Sequence, residues 1–264
     1  MKVAILCREE PVFLGPYLQQ LIGVHPRDVA AVFIVGGPDP GRPSGFFRGL
    51  SIDWCLLEPS GFFHALWRRL RASVLGARGP DSVAGFARRL DIPVHRVDDP
   101  NGARFLGQLH GCGADVGLNE SGAVLKGKVL WVPRFGFVKR HGSLLPAHRG
   151  RMSTFWSHAD VQPMYGTTIH SVSEEIDAGG IIVQQHYDDI APEWPYPAVM
   201  TEMLSRATTL FWHAMELLET HGARLRAQSG GDEIHMYPTL EEAKSFVQRL
   251  QLRRAHGRGR RRRR

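Results

Sequence analysis

Two short stretches hold the residues best suited to chemistry. FVKRHGSLLPAHRG, residues 137–150, places His141 directly after an apolar run and ahead of a glycine, a serine and a proline. YGTTIHSVSEEIDAGGIIVQQ, residues 165–185, places Asp177 between two strand-like runs. A histidine and a carboxylate on two loops, each leaving a strand, can meet at one end of a sheet as an acid–base pair.

Such a pair needs strands that end on a common rim, and the hydrophobic pattern supplies them. Residues 2–6 form a short apolar run, a first parallel strand, and residues 16–22 a helix after it. The turn between them, Cys7-Arg8-Glu9-Glu10-Pro11, lacks the glycines that let a backbone wrap a phosphate and is acidic at two positions, which argues against a dinucleotide or phosphate loop. Residues 28–35 are apolar without alternation, as a strand covered on both faces should be. An arginine-rich amphipathic helix is expected over 62–75, with Trp67 and Leu70 on its apolar side, and a second, shorter one over 82–90. A strand over 92–97, a helix over 103–110 and a strand over 114–118 follow. This alternation predicts an α/β fold, a doubly wound, mostly parallel twisted sheet of Rossmann-like type. Asn119 and Glu120 end the fourth strand, and Lys139 and His141 end the apolar run 135–138, so both sets point to one rim. Residues 165–172 and 180–186 read as two further strands, and 198–221 as a long helix with Met203, Leu210, Met215 and Leu218 on its buried side. Residues 229–250 read as a short strand pair or extension and then a helix that begins at the capping-box pattern near Thr239. The expected organisation is a catalytic domain over 1–190, a C-terminal helix and extension over 191–250 packed on it, and a disordered arginine-rich tail over 251–264.

At 264 residues and 43% hydrophobic the chain can bury a sizeable core. Its formal charge of +7 suggests nucleic acid, but the last twelve residues hold eight arginines and no acid, and removing those charges takes the balance to −1. The basic character therefore belongs to the tail. Such a run repels itself and binds nucleic acid or an acidic surface without sequence preference, if it is more than a solvated extension. Cys7, Cys55 and Cys112 show no metal-ligand spacing, and reduced thiols suit a cytoplasmic protein. No stretch reaches the roughly 18 apolar residues of a membrane span, and MKVAILCREEP reads as a first strand rather than a signal peptide because acids follow its apolar run at once.

HGSLLPAHRG from His141, followed by YGTTIHSVSEEIDAGGIIVQQ from Tyr165, resembles the signature of the formyltransferases that use 10-formyltetrahydrofolate. That family includes glycinamide ribonucleotide transformylase, methionyl-tRNA formyltransferase and the sugar and hydroxyornithine N-formyltransferases. The likeness is strong over 137–185 and weaker over the element order from Lys2 to Gln185. It implies the formyltransferase fold, 10-formyltetrahydrofolate as co-substrate, no metal, and a catalytic set of an asparagine, a histidine two residues on, and an aspartate. His141 and Asp177 match that set, whereas the asparagine position is Lys139. In the implied reaction an amine attacks the formyl carbon and hydrogen-bond donors stabilise the resulting oxyanion. The aspartate orients the histidine, favours its protonated form and relays a proton through water. An ammonium donates to an oxyanion more strongly than an amide, but it also lowers the proton affinity of His141 and competes for Asp177. Three outcomes are open: Lys139 replaces the amide, or it points away while Asn119 or a backbone group takes over, or the chemistry has changed.

The resemblance also places a folate pocket, built mostly of backbone, at Ser121, Gly122, Val124 and Leu125 and at the loop carrying Glu175 and Asp177. On the acceptor side it leaves Gly142 and Ser143, with Glu9 or Glu10 able to meet a cationic amino substrate. The CREEP turn disfavours a nucleotide phosphate as acceptor. The C-terminal part is too short for the extra barrel of the tRNA formyltransferases, which disfavours tRNA. Trp194, Tyr196 and Trp212 either line a sugar or aromatic ring or pack the last helices. Three readings follow. The first is an N-formyltransferase acting on the amine of a small molecule, an amino sugar or an amino-acid-like compound of secondary metabolism, with a homodimer compatible. The second is a diverged member that hydrolyses formyl-folate or transfers another group. The third is a non-catalytic binding module whose working part is a nucleic-acid-binding arginine tail.

Overall fold

The computed structural model describes residues 1–37, 39, 46–222, 225–231 and 233–261. Seven strands form one sheet in the order β3-β2-β1-β4-β5-β7-β8. In chain order these are β1 (Val3–Cys7), β2 (Val29–Val35), β3 (Val94–Val97), β4 (Val116–Glu120), β5 (Phe137–His141), β7 (Tyr165–Ser171) and β8 (Ile181–Tyr187). The first five run parallel, and β7 and β8 are antiparallel to their neighbours. Strand order turns outward in both directions from β1 and β4, so a crevice opens beyond their carboxyl ends. A second, two-stranded sheet pairs β6 (Arg149–Gly150) with β9 (Ile234–His235).

The unbroken apolar strands are explained by two covered faces. Val3, Ile5 and Cys7 pack with α1 (Leu14–Val24), α3 (Val83–Arg89) and α6 (Tyr196–His221). Ala4, Leu6 and Phe33 pack with Phe105 and Leu109 of α4 (Ala103–Gly111) and with Leu125 and Leu130. The fold class expected from the sequence is the one observed, with element ends shifted by a few residues. No described helix is long and apolar enough to cross a membrane.

Three expectations are corrected. The helix expected over 62–75 is the second half of α2 (Phe46–Leu75), broken at Glu58 (φ 57°) where Pro59 follows. Its apolar side, including Trp67 and Leu70, faces outward, while Ala65 is buried. The arginine tail does not begin as a disordered segment. The last helix, α7 (Leu240–Arg261), continues into it, and Arg253 donates to the carbonyl oxygens of His158 and Asp160 while Arg254 donates to that of Glu193 and pairs with Glu58. Trp212 packs on α1, donating from its ring nitrogen to the Leu21 carbonyl, and is not among the residues that line the main cleft. α7 is held by a core of Ala243, Phe246 and Leu250 against Ile52, Leu56, Phe155 and Tyr196. The capping box is present, with Thr239 and Glu242 bonded reciprocally.

Candidate active site

Lys139 and His141 are two residues apart on β5 and so project from the same face at its carboxyl end. The antiparallel register sets His170 of β7 directly opposite Lys139. Asp177 sits in the β7–β8 loop with a left-handed backbone (φ 49°). The four side chains converge. Lys139 Nζ donates to Asp177 Oδ1 at 2.7 Å, and the Gly150 backbone N–H donates to Oδ2 at 2.8 Å. His141 Nδ1 lies 3.5 Å from Oδ2, and His170 Nε2 lies 3.8 Å from Oδ1.

The tautomers follow from what the rings touch. His141 Nε2 is 2.8 Å from the His148 carbonyl, which can only accept, so Nε2 carries the hydrogen. His170 Nδ1 likewise donates to the Ser171 carbonyl at 2.8 Å, leaving its buried Nε2 without a hydrogen bond and turned towards Asp177. Burial pushes His141 down to about 3; Lys139 and His170 add to this, and the Asp177 charge opposes it. Burial likewise pushes His170 down to about 4. Burial would raise the Asp177 carboxyl, but Lys139 and the two imidazoles hold it well below the usual carboxylate range. At neutral pH the site is a carboxylate, two neutral imidazoles and one ammonium. This corrects the expectation that Asp177 keeps His141 protonated: burial and Lys139 outweigh it, and the positive charge resides on Lys139.

Of the three courses open to Lys139, pointing away is not the one taken. Asn119 is not free to substitute for it either. Its amide nitrogen donates to the Ala123 carbonyl at 2.9 Å and its oxygen accepts from the Ser121 hydroxyl at 2.7 Å, fixing the loop after β4. His141, His170 and Asp177 form the one three-donor group among the described residues whose geometry could hold a metal. The Lys139 ammonium already sits on one Asp177 oxygen and the Gly150 N–H on the other, so a divalent cation would have to compete with one of them.

The four residues line a cleft of about 890 Å³ at the expected rim. Ser121, Gly122, Val124, Leu125 and Glu175 line it as well. The carbonyls of 121–124 each already accept one hydrogen bond, from Arg8, Arg151, Asn119 and Asn101 in turn, so a ligand edge would meet their second lone pairs. The half-exposed Val124 and Ile176 give this end an apolar rim. Gly142 lines the cleft, and a Cβ there would fall 2.2 Å from Thr154 Oγ1. Ser143 is not among the lining residues. It is buried and its hydroxyl donates to the Ala147 carbonyl at 2.8 Å.

Glu9 and Glu10 border the cleft, but their carboxylates do not offer themselves to a substrate. Glu9 accepts from the Ser82 hydroxyl and from Val83 N and Ala84 N, capping α3. Glu10 accepts from Val12 N, Phe13 N and Leu14 N, capping α1. Polar character at the far end comes from ion pairs that the sequence reading did not single out. Arg69 meets Asp53 at 2.6 Å, Arg151 meets Asp39 at 2.7 Å, and Arg140 forks onto Glu120 at 3.0 and 3.2 Å. His170 was also missed. Its only sequence signal is its place in a strand, which becomes informative once β5 and β7 are in register.

A clasp from the C-terminal extension closes the arrangement. His148 supplies the carbonyl for His141, and its ring lies between Asp160 (2.8 Å) and His235 (3.3 Å). β9 pairs with β6, where Gly150 has φ 99° and a Cβ would fall 2.2 Å from the His235 carbonyl oxygen. Gln228 donates to the carbonyls of Asp177 (3.0 Å) and Gly179 (2.6 Å).

Residues 108–204 match the formyl transferase family. Methionyl-tRNA formyltransferase of Deinococcus radiodurans is 35% identical over 143 residues, 53% of this chain and 45% of that protein. The Chlorobium chlorochromatii enzyme of the same name is 35% identical over 107 residues, 40% and 34% of the two chains. The chain thus spans less than half the length of these curated relatives. Among solved structures, glycinamide ribonucleotide transformylase 1 from Symbiobacterium toebii shares the fold with a TM-score of 0.57 at 18% identity, over 87% of this chain and 94% of that one. An N-formyltransferase from Helicobacter canadensis, in complex with folinic acid and dTDP-3-aminofucose, gives 0.53 at 16% identity over 89% and 70%. The segment that resembles the formyl transferase family carries His141, His170 and Asp177, and the fold is shared with these solved structures over most of the chain.

Proposed function

We propose that the cleft transfers a formyl group from 10-formyltetrahydrofolate to the amine of a small molecule, with Lys139 in the place of an amide donor. The observation that carries this is the Lys139–Asp177 pair: the Lys139 side chain is 27% exposed and the Asp177 side chain 2%, and both line the cleft. A carbonyl oxygen entering the cleft meets Lys139 first. As negative charge grows on that oxygen, an ammonium held in a desolvated site stabilises it, an effect worth roughly 3–4 kcal/mol per well-placed donor. Asp177 orients the ammonium and offers its remaining lone pairs for a water-borne proton on its way from the attacking amine to the leaving nitrogen. His141 is a neutral spacer packed beside Asp177. The folate supplies the activated formyl group, and the apolar rim with its main-chain acceptors at 121–125 fits a flat heteroaromatic ring.

The acceptor end supports a small zwitterionic or hydroxylated amine, an amino sugar or an amino-acid-like compound. It is lined by paired charges of both signs and by Tyr196 and Tyr237. One observation favours hydrolysis of formyl-folate as a second reading: the carboxylate that would take the amine's proton is already ion-paired with Lys139. Incubation with 10-formyltetrahydrofolate and a panel of amino sugars and amino acids, followed by mass spectrometry, separates the two. A product heavier by one formyl group is expected. Free formate with no formylated amine would replace the proposal with hydrolysis.

A further inference from the structure

The second half of α2 presents an unexpected surface. Phe63, Trp67, Leu70 and Val74 recur at intervals of four, three and four and are 60%, 53%, 63% and 76% exposed. Leu66 lies within the same stripe, and Trp54 extends it across the break at Glu58 by packing edge-on against Phe62 and Phe63. This is the spacing of a helix that buries one face against another helix, yet no described element covers it. The exposed part of these six residues amounts to roughly 700 Å², above the ~300–600 Å² of the largest apolar patch on an ordinary monomer and near the ~800 Å² each partner contributes to a standard interface.

From this stripe we infer that α2 is the contact surface of a homodimer, each copy covering the stripe of a second copy of this chain. Two features favour a second copy. The arginines beside the stripe are already neutralised within the chain, Arg68 and Arg71 by Asp81 and Arg69 by Asp53, and Arg71 also lies over the Trp67 ring at 4.2 Å. A helix that adsorbs to anionic lipid keeps its cations for the headgroups. The exposed apolar area is also close to what each partner of a standard interface contributes, so one further copy suffices to cover it. The contact bears on the cleft, because Arg69 in the stripe half of α2 ties back across the break to Asp53, a cleft-lining residue.

Sedimentation velocity on the full chain tests this, with Trp67→Glu/Leu70→Glu and Val161→Glu variants; Val161 is exposed and lies outside α2. The wild type and Val161→Glu are expected at twice the 29.5 kDa chain mass. The double variant is expected to be monomeric, its dissociation constant raised at least about a hundredfold by two buried charges, with an unchanged circular dichroism spectrum because neither residue is in the core. Leu70→Ser, which introduces no charge, should weaken the dimer without abolishing it. A monomeric wild type at about 100 μM, or a double variant that stays dimeric, overturns the inference. Co-sedimentation of a monomeric wild type with phosphatidylserine vesicles would overturn it in favour of a lipid surface.

Discussion

At the scale of single residues, burial and one lysine together set the charge of the site. A carboxylate flanked by two buried histidines would be expected to hold a proton on one of them. Here the ammonium takes that place, 2.7 Å from Asp177, and the imidazoles stay neutral. This has a consequence for stability. His141, His170 and His158 are pushed by burial to about 3, 4 and 4. Unfolded, each takes a proton near pH 6.5, so between about pH 6.5 and 4 the unfolded chain binds more protons than the folded one and stability rises with pH. Urea unfolding at pH 7 and pH 5 should therefore show a midpoint lower at pH 5, by an amount that shrinks in His158→Phe; equal midpoints would contradict the buried neutral assignment. His141 and Asp177 were legible from the sequence because their motif carries them as a unit. Glu9 and Glu10 were misread because nothing local tells a capping carboxylate from a binding one. The helices they cap begin at Leu14 and, far along the chain, at Val83.

At the scale of elements, the site is assembled by strands distant in sequence. β5 and β7 set Lys139 against His170, and the β6 segment touches both halves of the pair, His148 O to His141 and Gly150 N to Asp177. The extension that follows α6 fastens this segment through β9 and pins the Asp177 loop through Gln228. The strands of the sheet could be read from their apolar runs, and a short strand or extension was legible after residue 229, but not what it fastens, since two-residue strands leave no periodicity to set a partner. Gln228→Leu removes two hydrogen bonds to the loop. It is expected to cost about 1–3 kcal/mol, to lower the melting temperature by several degrees, and to reduce kcat by roughly tenfold through misplacement of Asp177. A variant with the full wild-type kcat would show that the clasp supports the fold without shaping the site.

At the scale of the molecule, the outward turn of strand order at β1 and β4 decides where the chemistry lies, and the alternation of strands and helices made that rim legible in advance. The charge distribution was legible in part. Around the cleft the charges are paired, whereas α7 carries the start of the arginine run as a docked helix, Arg253 reaching His158 and Asp160. Composition could not show this, because it depends on carbonyls exposed at the ends of other elements. The exposure of Trp67 and Leu70 was equally hidden: periodicity shows that a helix has an apolar face, not what lies against it. The central claim is that Lys139 supplies the electrophile for formyl transfer, and the steady-state kinetics of Lys139→Met test it most directly, since methionine keeps the length and removes the charge. The account predicts a kcat lower by about 10²–10³ with a nearly unchanged KM for the folate. A kcat within a few-fold of wild type would contradict it.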